Sequence, residues 1–146
     1  MNYWMTIHYP MSAEERAARW RYWLFLKANR PDLKPGDRVF IYETETHPGY
    51  IERGRTVSRP PGRKAVVALV GVTTQVRAID DADEVLEDGR VHHWRFGAET
   101  EWERECNISL AEVRQALGMP GWCARVAGGL MSLDQGQFNR VQSRCR

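Results

Sequence analysis

The chain has 146 residues, of which 42% are hydrophobic and 27% are charged, and its formal net charge is +2. These values are typical of one globular domain spanning residues 1–146, and so small a basic excess permits a nucleic-acid partner without requiring one. No apolar run approaches the roughly 20 residues of a membrane span and no signal peptide is evident, so we expect a cytoplasmic protein without a membrane anchor.

The cysteines and histidines set further expectations. Cys106, Cys123 and Cys145 form no CxxC pair, and this odd, scattered count predicts free thiols in a reducing compartment. The four histidines show no metal-ligand spacing. We therefore expect neither a metal nor a cofactor.

The N-terminal segment predicts a strand and then a helix. Residues 2–8, NYWMTIH, are aromatic and apolar and precede Pro10, as is typical of a strand. Ser12 and Glu15 have the spacing of a capping box, which predicts a helix over 13–28. The second half of that range, WRYWLFL, is apolar on nearly every side, and RYWLFL could also form a strand.

The middle of the chain predicts two strands around a basic loop. After the turn at 35–37, the segment RVFIYE (38–43) is rich in strand formers. Residues 46–64 are rich in glycine and proline and carry several arginines, which predicts a long basic loop. A second apolar strand, AVVALVGVTTQV (65–76), follows.

The last third predicts short helices. The acidic segment DDADEVLEDG (80–89) reads as a turn, and residues 91–108 mix loop and strand. Ser109 with Glu112 forms a capping-box pattern, so a helix is predicted over 109–117.

A second capping-box pattern, Ser132 with Gln135, predicts a helix over 134–142 that buries Phe138 and Val141. Strands and short helices thus alternate without long βαβ units. This pattern predicts an α+β domain in which five or six strands curl into an open barrel.

Catalytic signals are weak. Cys106 could act as a nucleophile with His92 or His93, but adjacent histidines on a strand face opposite sides and no motif fixes either one. No glycine motif that would cradle a phosphate is present. We therefore predict no catalytic residue and no enzyme activity.

The aromatic residues give a stronger signal. Six tryptophans occur in the chain, and several have arginine neighbours, as in RWRYW and HHWRF. Any one ring could simply fill the core, because tryptophan and tyrosine dominate small cores. Rings interleaved with arginine also suit a nucleobase that stacks beside its phosphates.

The order of these segments resembles the EVE domain family, in the PUA-like superfamily that also holds YTH domains. The resemblance covers most of the chain and rests on YWMTIHYP (3–10), LKPGDRVFIY (33–42), AVVALVGVT (65–73), EWERECNISLAEVRQALG (101–118) and GGLMSLDQGQFNRV (128–141). The chain departs from the family at 7–10, where Ile-His-Tyr-Pro replaces Lys-Ser-Glu-Pro, and in its long basic loop.

The resemblance implies a PUA-like barrel that binds nucleic acid without catalysis. It implies a reader of a flipped, modified base, methylated or hydroxymethylated, in DNA or RNA. The implied setting is a modification-dependent restriction or RNA-modification system, with a nuclease or another restriction-system protein as partner. Transferred by position, the base pocket comprises His8, Tyr9, Trp20, Trp23, Tyr42 and Trp94. We expect phosphate contacts beside it from Arg53, Arg55, Arg59, Arg63 and Arg95, and we assign Trp4 and Phe40 to the core.

Two other functions stay open. An amidohydrolase acting on modified nucleosides, on the related ASCH-type scaffold, would need a lysine, an acid and a hydroxyl to converge in the pocket. Lys27, Lys34 and Lys64 are the only lysines. A protein-interaction module would have no base pocket, and its rings would serve the core alone.

Overall fold

A computed structural model describes residues 1–10, 22–26, 32–45, 48–124 and 129–145. Its elements in chain order are β1 (Tyr3–His8), β2 (Tyr22–Leu26), β3 (Arg38–Glu43), β4 (Tyr50–Glu52), β5 (Arg55–Val57), β6 (Ala65–Val72), β7 (Arg77–Leu86), β8 (Val91–Ser109), α1 (Leu110–Leu117), β9 (Met131–Leu133) and α2 (Gln135–Ser143). Neither of these helices has the length and apolar character needed to cross a membrane.

The described strands form one mixed sheet in the order β5-β4-β7-β8-β6-β3-β1-β9, with β2 also paired to β8. Strands β1 and β3 are parallel, and the other pairs are antiparallel. The α+β class is therefore confirmed. The described residues form nine strands, more than the five or six predicted.

A long hairpin organises the sheet. Val72 on β6 pairs with Thr100 on β8, and Arg77 on β7 pairs with Gly97 further along it. Because Thr100 and Gly97 also pair with β2, strands β6 and β7 occupy the same edge of β8 in succession. We call β4, β5, β7 and residues 91–97 of β8 the tip sheet, and β1, β3, β6, β9 and residues 100–109 of β8 the base sheet.

The central strands of the base sheet, β3 and β6, are buried on both faces. One face packs against α1 and α2 through a cluster that includes Met5, Phe40 and Phe138. The opposite face packs against β2 through a second cluster that includes Val39 and Leu24. Burial on two faces explains the nearly continuous apolar runs of β3 and β6, since neither face meets water.

The two C-terminal helices agree closely with the sequence pattern. The capping box of Ser109 and Glu112 starts α1, and Gly118 ends it in the left-handed conformation at φ 68°. For α2 the capping box is Asp134 with Gln137 and not Ser132 with Gln135, so that prediction is wrong by two residues. The burial of Phe138 and Val141 is confirmed.

Four predicted elements are corrected. Residues 22–26 form strand β2, so the helix predicted over 13–28 does not extend through them, and its remaining positions lie outside the described residues. The predicted basic loop contains the β4–β5 hairpin, and the acidic turn at 80–89 is largely strand β7. Residues 91–109 form a single strand of 19 residues rather than a mixture of loop and strand.

The cysteine prediction is wrong for two of the three residues. Cys106 on β8 and Cys145, just past α2, form a disulfide, while Cys123 is free and exposed. The cysteines are 39 residues apart in sequence, and only the return of α2 onto the sheet brings them together. Sequence spacing carries no trace of that contact.

Rings at the N-terminus take opposite faces of β1, as strand alternation requires. Tyr3 stacks on Phe138 with ring centroids 4.0 Å apart, on the helix-covered face. Trp4 packs against the other cluster, and its indole Nε1 donates to Asp37 Oδ2 at 3.1 Å. Phe40 is fully buried as assigned, whereas Trp4 is only part-buried.

Candidate functional site

Three rings form a row on one face of the tip sheet, which we call its inner face. The hydroxyl of Tyr9 lies 3.0 Å from His92 Nε2, and the two rings meet edge to face with centroids 5.3 Å apart. His92 in turn stacks on Trp94 at 5.7 Å between centroids and 13° between planes. All three side chains are part-buried, so the row keeps aromatic surface in contact with solvent. We call Tyr9, His92 and Trp94 the ring row.

Strand alternation builds this row. His92 and Trp94 are two residues apart on β8 and therefore face the same side. Glu84 lies opposite His92 on β7, and Tyr50 on β4 lies opposite Leu86, so these residues share the same face. The inner face of three neighbouring strands thus carries polar and aromatic groups.

Arg59 fills the space beside the row. Its Nη1 donates to the carbonyl oxygen of Pro10 at 2.8 Å, and its Nη2 lies 3.2 Å from Glu84 Oε2. The guanidinium also covers the ring of Tyr50 at 4.6 Å from the centroid. Only 4% of the Arg59 side chain is exposed, compared with 23% for Glu84. This arginine therefore ties the N-terminal strand to the tip sheet.

A close backbone approach brings Arg59 to that position. The amide of Gly62 donates to the carbonyl of Glu45 at 2.6 Å, and the amide of Arg63 donates to the buried Glu43 carboxylate at 3.0 Å. A Cβ at Gly62 would overlap the carbonyl oxygen of Thr44. Glycine is thus required where the segment after β5 crosses the end of β3.

His8, the last residue of β1, is part-buried within reach of the Arg59 charge and is neutral at pH 7. Burial, and secondarily the charge of Arg59, lower the pKa of His8 to about 4. Burial also raises the pKa of the Tyr9 phenol, against the opposing charge of Arg90. At neutral pH the cluster therefore offers an uncharged imidazole and an intact phenol, which can donate or accept hydrogen bonds.

The predicted pocket residues divide into three groups. His8, Tyr9 and Trp94 lie in or beside the ring row. Tyr42 belongs to the helix-side core, where it meets Trp122 edge to face at 5.6 Å and is only 2% exposed. Trp20 lies outside the described residues. Trp23 stands on β2 opposite Glu99, in a strand rather than in the predicted helix.

The predicted phosphate-binding arginines are spread over different surfaces. Arg53 and Arg55 are exposed on the β4–β5 hairpin, and Arg63 is exposed beyond it. Arg59 is buried as described above. Arg95 lies on the face of β8 opposite Trp94, with its Nη1 3.3 Å from Asp83 Oδ1.

The sequence does not identify three residues of this site, His92, Tyr50 and Glu84. From the sequence His92 is a candidate only as a base for Cys106, and Tyr50 and Glu84 belong to no motif. The pattern HHW does contain a usable signal, since His92 and Trp94 share a face on any strand. The contacts of Tyr50 and Glu84 depend on Arg59 and on strand pairing, which no local pattern indicates.

The arrangement is suited to binding a flat, uncharged group. It offers aromatic faces for stacking and neutral imidazole and phenol groups for an edge. Within the described ranges, no three His, Cys, Asp or Glu side chains are grouped as metal ligands would be. Both lysines within the described ranges are exposed. Lys34 Nζ lies 3.6 Å from Asp32 Oδ1, and Lys64 Nζ lies 4.0 Å from Glu45 Oε2.

The fold is similar to those of several solved bacterial proteins. Rpa0253 from Rhodopseudomonas palustris superposes with a TM-score of 0.63 at 12% identity, covering 99% of this chain and 93% of that one. Atu2648 from Agrobacterium tumefaciens superposes with a TM-score of 0.58 at 15% identity, covering 97% of this chain and 90% of that one. PSPTO5229 from Pseudomonas syringae gives 0.58 at 11% identity, covering 97% of each chain. Neither a scan of protein-family models nor a search of the curated proteins finds a match. At these identities the likeness establishes a shared fold alone.

Proposed function

We propose that this chain is a non-catalytic module of the EVE, PUA-like type that binds a modified nucleobase on the ring row. The observation that carries the proposal is the part-exposed stack of Tyr9, His92 and Trp94. Stacking on aromatic side chains contributes about 1–3 kcal/mol per base. In this proposal the bent sheet is the open form of a PUA-like barrel.

The geometry favours stacking on the row over insertion into it. A base between two rings needs about 7–8 Å between their planes, which is two van der Waals spacings of 3.5–4.0 Å. The centroids of His92 and Trp94 are 5.7 Å apart, so no base fits between them. The base therefore stacks against the exposed part of Trp94, and the polar edge groups come from His8, Tyr9 and His92.

Energetics restrict the kind of ligand. Extrusion of a base from a duplex costs a few kcal/mol, which is comparable with the gain from one stacking contact. A single-stranded or otherwise unpaired base avoids that cost. One buried methyl adds about 0.8 kcal/mol, so the row prefers a methylated base over its parent by about fourfold.

An equilibrium binding experiment tests this proposal. The ligands are the monophosphates of cytidine, 5-methylcytidine, 5-hydroxymethylcytidine, adenosine and N6-methyladenosine, in ribose and deoxyribose forms. We expect one modified member to bind more tightly than its parent. Trp94→Ala should weaken that binding by about 5- to 150-fold, the equivalent of 1–3 kcal/mol, because the stacking surface is removed.

Trp94→Phe is the matched control, because it retains a ring at the same position and should recover most of the affinity. Equal binding by the wild type and Trp94→Ala would contradict the proposal. So would a panel in which every modified base binds no better than its parent.

A further inference from the structure

The β4–β5 hairpin carries a second basic feature on the same face as the ring row. An open depression there is lined by Glu52, Arg53, Arg55 and Val57. Val57 pairs with Tyr50, and Arg55 pairs with Glu52. By alternation these positions face the same side of the tip sheet as Tyr50, and hence as His92.

Ion pairing distinguishes the arginines of this depression from Arg59 and Arg95. Within the described part of the chain, neither Arg53 nor Arg55 forms an ion pair. Arg59, by contrast, is held by Glu84, and Arg95 by Asp83 on the opposite face. The depression therefore offers two guanidinium groups for an anion, with Glu52 as one opposing charge.

Strand spacing gives the distance between the two features. His92 on β8 and Arg55 on β5 are separated by three strand-to-strand steps, through β7 and β4. At about 4.8 Å per step the separation is about 14 Å. A stacked strand rises 3.4 Å per nucleotide, so 14 Å corresponds to about four nucleotides, and to fewer if the strand is extended.

We propose, on the basis of the function proposed above, that the ligand is a single-stranded oligonucleotide rather than a free nucleotide. Its modified base stacks on the ring row, and its sugar–phosphate backbone crosses the tip sheet to the β4–β5 depression. Arg53 and Arg55 bind phosphates two to four nucleotides from the stacked base. Arg59 has a structural role and makes no phosphate contact.

The experiment measures affinity against length and salt. The probes are fluorescein-labelled single strands of one, three, five and seven deoxynucleotides with 5-methylcytosine at one end and thymidines elsewhere. They are made with the modified base at the 5′ end or at the 3′ end, because the direction of the strand is open. We expect affinity to rise once the strand is long enough to reach the depression.

Substitutions then locate the phosphate contacts. Each single-strand phosphate contact contributes about 0.7 to the slope of log K against log salt. Relative to 1 M salt, one contact therefore raises the binding affinity about 8-fold at 50 mM salt and about 4-fold at 150 mM. Arg55→Gln should lower seven-nucleotide affinity by about these factors and leave one-nucleotide affinity unchanged. Glu52→Gln should raise seven-nucleotide affinity, because it removes the opposing charge. Arg95→Gln is the control of equal charge on the opposite face, and should leave the salt slope unchanged.

The possible failures can be told apart. If the seven-nucleotide strand binds no more tightly than the one-nucleotide probe, or if Arg55→Gln behaves as Arg95→Gln does, the backbone path is wrong while base binding stands. If Trp94→Ala binds every length as the wild type does, base stacking on the row is wrong. If no length binds, the backbone path fails, and base binding fails with it if no member of the monophosphate panel binds either.

Discussion

The two ends of β8 differ in what covers them. In the base sheet, Cys106 and Ile108 are buried beneath two capped helices and belong to an apolar core. In the tip sheet, His92 and Trp94 are only part-buried, and the neighbouring space is filled by Arg59 with its ion pair. The same alternation of a single strand thus supplies a dry core at one end and an aromatic, polar surface at the other. We therefore expect stability to reside mainly in the base sheet, while the proposed binding surface lies on the tip sheet.

The largest expected effect comes from the base sheet. Phe40 is fully buried and lies 5.3 Å from Phe138 between ring centroids. Phe40→Ala should lower the free energy of unfolding by about 3–5 kcal/mol, through lost burial and the cavity left behind. Ile51→Ala, at a side chain on the tip sheet that is 38% exposed, is the comparison and should cost less than about 1 kcal/mol. Urea unfolding of both variants measures the difference. Equal losses of unfolding free energy would contradict the view that the base sheet contributes most of the stability.

The disulfide should have the next largest effect. It joins Cys106 on β8 to Cys145 after α2, across 39 residues of sequence. A cross-link of this kind stabilises a protein by about 2–4 kcal/mol, so the double variant Cys106→Ser with Cys145→Ser should unfold at lower denaturant. Cys123→Ser, which alters a free and exposed thiol, should not change the midpoint. A double variant as stable as the wild type would mean that the bridge adds nothing to helix packing.

Within the tip sheet, Arg59 should matter more than its arginine neighbours. Arg59→Met leaves the Glu84 carboxylate and the Pro10 carbonyl without the groups that Arg59 donates to them. Breaking a buried pair costs about 3–5 kcal/mol, and because Glu84 is 23% exposed we expect roughly 2–3 kcal/mol. Adding Glu84→Gln should recover part of the loss, since it removes the negative charge that Arg59 compensates. Arg55→Met, on the exposed hairpin, should be nearly neutral, and a loss equal to that of Arg59→Met would contradict the structural role.

A smaller, pH-dependent effect should come from His8. Because its pKa is lowered to about 4 in the folded protein from 6.5, the unfolded chain binds more protons between these values. Stability contributed by the neutral ring is therefore complete above about pH 6.5 and falls as the pH drops toward 4. The loss between pH 7.5 and pH 5 should be about 2 kcal/mol.

His8→Asn should remove this part of the pH dependence and leave the part due to carboxylates. Unfolding free energies of both proteins, measured from pH 4.5 to 8, give the difference. If the two curves run parallel throughout, His8 does not have the lowered pKa.

The sequence predicts the elements whose residues decide their own structure. β3 and β6 are apolar because their strands are buried, β1 is aromatic and apolar with Met5 and Thr6 buried, and α1 carries its own cap. By contrast, β7 contains DDADEVL, and its acidic residues resemble a turn until pairing with β8 makes them a strand. The short apolar run WLFL fits a helix or a strand equally well, and only its pairing with β8 decides between them.

The site divides in the same way. Tyr9 and Trp94 could be predicted because aromatic type and position are visible in the chain. The burial of Arg59 could not, because it depends on Glu84, Pro10 and the close approach at Gly62, which lie far apart in sequence. Local composition marks Arg53, Arg55 and Arg59 as equivalent, whereas the tertiary structure makes one of them a structural residue.

The indole N–H signals of the tryptophans test the account most directly. In a ¹⁵N-labelled sample titrated with 5-methyl-deoxycytidine monophosphate, the Trp94 signal should shift progressively as the base stacks on its ring. The signals of Trp122, which is 6% exposed in the core, and of Trp4, which donates to Asp37, should stay in place. A titration that moves Trp4 or Trp122 and leaves Trp94 unchanged would contradict a binding surface on the ring row.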